Sequence, residues 1–119
     1  MKLNPFKWVR VDYRDIMEYN PREITFANGV TLEVLTIEGN EYFINDQAGY
    51  YYTCRPLHEY DPNIAIRLPM EFLPELTESI EVYEDGELWY VPRGYIEGIL
   101  IEVQWYSGDI AVVKRVVQH

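Results

Sequence analysis

Short runs of Val, Ile, Tyr, Trp and Thr, punctuated at several places by glycine-bearing dipeptides, constrain this chain more than any other feature. Asn28-Gly29 separates Glu23–Ala27 from Val30–Ile37, Asp85-Gly86 separates Ile80–Glu84 from Glu87–Val91, and Ser107-Gly108 separates Ile99–Tyr106 from Asp109–Val117. Asn-Gly and Asp-Gly accept the positive φ values of a tight hairpin turn, so three two-residue hairpins are predicted. Glu38-Gly39-Asn40 predicts a further, looser turn into Glu41–Ile44, and Asp46 to Gly49 another into Tyr50–Cys54.

The runs themselves read as strands because apolar residues recur with period two. In Ile99–Tyr106 the alternation puts Ile99, Ile101, Val103 and Trp105 on one face and Glu102, Gln104 and Tyr106 on the other. The last run has Ile110, Val112 and Val116 opposite Ala111, Val113 and Val117, interrupted by Lys114 and Arg115, so it is apolar on both faces for much of its length and is expected to be central or covered on both sides. Phe6–Val11 and Ile64–Leu68 are further strand candidates. Helix is scarce: Asp12 and Asn20-Pro21 bracket a turn or two at Tyr13–Tyr19, and Pro69 starts at most one turn before Pro74 interrupts it. Eight or nine short strands predict a mainly β fold, an antiparallel β-barrel or sandwich built from hairpins with one or two short helical turns. No internal repeat, low-complexity tract or linker stands out, and residues 1–119 are expected to form a single compact domain. A chain of this length buries roughly two-thirds of its surface, enough for a core without cross-links.

Charge is distributed unevenly. Twenty acidic against ten basic residues give a net charge of −10. The ends are slightly basic, through Lys2, Lys7, Arg10, Arg14 and Arg22 and through Lys114 and Arg115, while residues 23–109 contain only Arg55, Arg67 and Arg93 as cations. Such a chain repels phosphate backbones, so direct nucleic-acid binding is not expected and a basic protein partner is. No run approaches the ~20 apolar residues of a membrane-spanning helix, and no secretory leader is visible, so no membrane association is expected. One cysteine forms no internal disulfide, which favours a reducing, cytoplasmic location.

Residues with reactive side chains are few. Cys54, His58, Glu59 and Asp61 are the only local gathering of thiol, imidazole and carboxylate, but their spacing matches no zinc pattern or nucleophile–base pair. The plainer expectation is a core cysteine ending a strand and a histidine on a polar loop. Ser79 and Ser107, the only serines, fall at strand and turn positions, and no glycine-rich phosphate loop is present. No catalytic residue, metal site or cofactor is therefore assigned.

Glu71, Glu75, Glu78, Glu81, Glu84, Asp85 and Glu87 instead form a stretch with no Lys or Arg. In an extended strand, Glu81, Tyr83 and Asp85 emerge on one side about 6.6 Å apart, a row of negative charge beside a ring that can imitate a nucleic-acid backbone. The plainer reading is a solvated hairpin whose carboxylates keep an edge strand from pairing with other chains. Eleven tyrosines add amphipathic contact area, with Tyr51 and Tyr83 the candidates for exposed rings near carboxylates. The expectation is a non-enzymatic acidic interaction protein using Glu78, Glu81, Tyr83, Glu84, Asp85, Glu87 and Tyr51. Its concrete form is an inhibitor occupying the basic groove of a nucleic-acid-processing protein. The alternatives are a small carboxylate-dependent enzyme or ligand-binding barrel, and a structural subunit that forms homo-oligomers.

Overall fold

The computed structural model describes residues 3–73 and 78–117; within these, the side chains of residues 78–84, 89 and 90 are outside the description. The fold is mainly β, with 56% of the chain in strand. Contacts divide it into two compact units, Pro5–Asp61 and Met1–Asn4 with Pro62–His119. None of the helices among the described residues is long and apolar enough to cross a membrane.

The first unit contains β1 (Val9–Asp12), a 3₁₀ segment (Tyr13–Tyr19), β2 (Arg22–Thr25), β3 (Thr31–Ile37), β4 (Asn40–Ala48), β5 (Tyr51–Pro56) and a single turn, α1 (Leu57–Tyr60). Its sheet is antiparallel in the order β1-β5-β4-β3-β2. The second unit contains β6 (Ile66–Pro69), a 3₁₀ turn (Met70–Phe72), β7 (Glu78–Glu84), β8 (Glu87–Ile96), β9 (Ile99–Ser107) and β10 (Ile110–Arg115), in the order β6-β10-β9-β8-β7. Among the described residues ten strands thus replace the eight or nine expected, and neither sheet closes into a barrel.

The two orders are the same. In each unit the first strand lies at one edge, a 3₁₀ segment leads to the strand at the opposite edge, and a meander returns until the fifth strand pairs with the first. One constant sequence offset relates the later halves: Glu38-Gly39 to Glu97-Gly98, Gly49 to Gly108, β4 to β9 and β5 to β10. Even the irregularities correspond. Pairing skips Asn45 in β4 and Gln104 in β9, so each of these strands carries a bulge. Val11 and Leu68, Tyr42 and Ile101, and Cys54 and Val113 hold corresponding places and are all buried. The expectation of no internal repeat is therefore corrected. Two copies of a β-meander need share only turn geometry and a buried pattern, and these survive with few identical residues.

Turn chemistry explains most of the hairpins. Asp85 and Gly86 have φ of 53° and 77°, positive at both central positions as the two-residue turn requires. The Asn28-Gly29 expectation is amended: only Gly29 has positive φ, Phe26 N bonds Val30 O (2.8 Å) and Gly29 N bonds Phe26 O (2.9 Å). That is a three-residue loop, in which Asn28 Oδ1 accepts from Val30 N (3.1 Å) while Nδ2 donates to the Tyr60 hydroxyl (3.1 Å). The Asn side chain thus takes on turn bonding rather than adopting the left-handed conformation. Ser107-Gly108 shifts by one residue to Gly108-Asp109, and the Asp46–Gly49 turn narrows to Gly49-Tyr50 because β4 continues to Ala48. In both turns glycine supplies positive φ at the first position alone.

Glu38-Gly39 is tight rather than loose, and Glu97-Gly98 makes a hairpin the sequence did not suggest. Glu38 and Glu97 lie at φ of 50° and 52°, a region costing a non-glycine residue about 1–2 kcal/mol. The paired strands on either side impose it. Tyr13–Tyr19 forms as expected, with Asp12 accepting from Arg14 N and Asn20 left-handed at its end. The flanking strands are displaced from expectation, to Val9–Asp12 and Ile66–Pro69, and α1 had no sequence signal.

Packing follows the register. β10 is hydrogen-bonded on both edges, and its two-sided apolar pattern is realised at consecutive Ala111, Val112 and Val113, which are buried, while Ile110 and Val117 are exposed. β9 departs from simple alternation: Ile101 and Val103 are buried, but Trp105, beyond the bulge, is 50% exposed. Tyr42 lies wholly inside the first unit with its hydroxyl lacking a hydrogen-bond partner. Burial pushes its phenol well above the usual range. Tyr42→Phe removes that stranded hydroxyl while keeping the ring, and an increase of about 1 kcal/mol in unfolding free energy is expected from denaturant titration. A loss would show that the hydroxyl is satisfied in solution.

Candidate interaction site

β7 and β8 form a hairpin at one edge of the second sheet. Their register is regular, from Glu78 opposite Arg93 through Glu81 opposite Tyr90 and Tyr83 opposite Leu88 to Glu84 opposite Glu87. At the tip, Asp85, Gly86, Glu87 and Leu88 are exposed. The side chains of Glu78, Glu81, Tyr83 and Glu84 lie outside the described residues, so these positions are placed by backbone register alone. Like charges directly opposite, as at Glu84 and Glu87, oppose pairing unless a counter-charge meets them. Arg93, the only cation on β8, instead gives Nε (3.0 Å) and Nη2 (2.9 Å) to Glu102 on β9. Gln104 Nε2 adds a 3.1 Å bond to the same carboxylate.

Tyr51 belongs to the other unit. It is 40% exposed on β5, opposite Asp12 of β1, as an exposed ring near a carboxylate. Its nearest charged neighbour over the ring is a cation, however: the Arg10 guanidinium sits 4.4 Å from the ring centroid. Just beyond the end of this strand pair Arg14 lies 6.0 Å from the ring of Tyr50, which stacks on Tyr13 at 5.8 Å. Tyr13 N also bonds Tyr50 O (2.9 Å). Arg14 Nε and backbone N both reach Asp12 Oδ1 at 2.9 Å, and these bonds hold the Asp12 carboxyl down at about 2. A third pair stands at the other end, where Arg55 lies 4.9 Å over Trp8 while Arg55 and the Trp8 indole both donate to Glu59.

This ladder of arginines on rings was missed. Arg10, Asp12 and Arg14 alternate before three consecutive tyrosines, and that pattern was its available signal; the missing information was that β1 pairs with β5.

Cys54 and His58 are both buried. Cys54 is fully buried on β5, and burial, with a smaller contribution from Glu33, pushes its thiol up to about 11. The polar-loop expectation for His58 is corrected: it is buried on α1, its Nε2 donates to Pro5 O at 2.9 Å, and its ring packs edge-to-face with Phe6, the centroids 5.4 Å apart. Among the described residues no group of three or more His, Cys, Asp or Glu side chains could hold a metal. The depressions on each unit are open. One of about 340 Å³ on the second is lined by Tyr95, Ile99, Leu100, Arg115 and Val117, and another on the first lies beside Phe26, Asn28, Tyr60 and Asp61. Neither gathers paired carboxylates.

Fold and surface together define a β-rich protein of two like open sheets, one with an acidic edge hairpin and the other with an arginine–aromatic ladder. No family model matches the chain, nor does any curated protein or solved structure.

Proposed function

We propose that the protein is a non-enzymatic interaction module that binds a basic protein through the β7–β8 hairpin, and that it inhibits a nucleic-acid-processing protein by occupying its basic groove. One observation carries this reading: an edge hairpin ends in exposed Asp85 and Glu87, and the only cation on its inner strand is spent on Glu102. Excess negative potential at a projecting tip steers a cationic partner and adds little to the sheet's own stability. The lone buried thiol fits a cytoplasmic setting.

Affinity capture from the host lysate, with wild type and an Asp85→Asn/Glu87→Lys variant in parallel, tests the reading. The expected catch is a basic protein that duplex DNA or raised salt releases, with association to the variant slowed about tenfold or more at low salt and converging with wild type at high salt. A catch indifferent to the variant removes the hairpin from the contact. Cation-free solubility, the competing role of the carboxylates, predicts instead that the variant aggregates and that wild type captures nothing.

A further inference from the structure

We propose that the Arg10–Tyr51 and Arg14–Tyr50 ladder is a self-association surface that receives the β7–β8 hairpin tip of a second copy of this chain. The duplicated topology acts as an internal control. At the places corresponding to Tyr50 and Tyr51, the second unit has Asp109 and Ile110, so the same sheet forms without a ring ladder. This strand order therefore does not by itself require rings at these two positions.

Arg10 is the second element. It is exposed and stacked on Tyr51, and among the described residues no carboxylate pairs with it, whereas Arg14, Arg22, Arg55 and Arg93 each hold an acidic side chain. In a chain with twice as many acids as bases, an unpaired guanidinium is conspicuous. Stacking fixes its plane while leaving the donors at its rim open to an incoming carboxylate.

The complement is in the same sequence. The tip offers carboxylates at Asp85 and Glu87 for the guanidinium and an exposed Leu88 for the neighbouring tyrosine rings. Each copy carries both parts, so two copies have the contact to offer in both directions. That such a pair also withholds the hairpin from a basic partner rests on the reading above; the pairing itself does not.

Sedimentation of the whole chain over a concentration series tests it. A dimer is expected at low salt, returning to monomer as salt rises. Arg10→Glu alone and Glu87→Lys alone are each expected to weaken the dimer about tenfold or more, and an equimolar mixture of the two to recover it, because reversed charges then face one another. Both positions are exposed, and circular dichroism checks that each variant folds. A wild type that stays monomeric to its solubility limit, single variants that still dimerise, or a mixture that stays monomeric overturns the proposal. A monomer that binds single-stranded oligo-dT through Arg10 also overturns it, assigning the ladder to nucleic acid. Partner capture by a monomeric Arg10→Glu variant reads the earlier hypothesis separately.

Discussion

Ile101→Ala is expected to lower the unfolding free energy by about 3 kcal/mol, and Trp105→Ala, four residues along the same strand, by less than about 1 kcal/mol. Ile101 is fully buried on β9, between Gly94 of β8 and Arg115 of β10. Truncating it leaves a cavity that strands paired on both sides cannot collapse to fill. Trp105 is the larger side chain, and unbroken alternation would put it on the buried face with Ile101. Tryptophan to alanine would then be the costlier change, at about 3–5 kcal/mol. The bulge at Gln104 interrupts that alternation and leaves Trp105 half exposed. Urea titrations of the two variants therefore measure the bulge directly. A Trp105→Ala penalty equal to or above that of Ile101→Ala would mean the strand is regular in solution.

Cys54 is expected to resist alkylation at pH 8 by at least about a hundredfold relative to an ordinary cysteine, and to react freely once the chain is unfolded. Only the thiolate attacks, and raising the thiol from 9.0 to about 11 reduces its thiolate population about a hundredfold at a pH below both values. Zero exposure slows access further. Iodoacetamide labelling followed by mass spectrometry, with and without denaturant, is the measurement. Fast native labelling would contradict burial and return Cys54, with His58 close by in sequence, to the candidates for nucleophilic chemistry.

The hairpins differ in how far they were legible. Asp85-Gly86 was readable because both residue types tolerate positive φ, a preference held within the dipeptide itself. Glu97-Gly98 was not, since glutamate has no such tolerance and is forced there by Ile96 pairing with Ile99. Asn28-Gly29 carried the right turn chemistry, but Asn28 could satisfy it through its side chain. His58 was misjudged because polarity suggested a loop, whereas the Pro5 carbonyl, far away in sequence, accepts a hydrogen bond from its Nε2 and allows burial.

The candidate surfaces divide similarly. The acidic tip is contiguous in sequence, so charge counting found it. The arginine ladder joins residues 8–14 to residues 50–55, and its existence depends on β1 pairing with β5.

By itself the sequence determined the β class, most turn positions, the two-sided burial of β10 and the sign of the middle of the chain. These depend on local φ preferences, side-chain periodicity and charge, which are carried by neighbouring residues. Only tertiary structure decided the duplicated strand order, the bulges at Asn45 and Gln104 and the stacking of Arg10 on Tyr51. Each is set by pairing between strands distant along the chain, where a cross-strand neighbour outweighs the preference of any single residue.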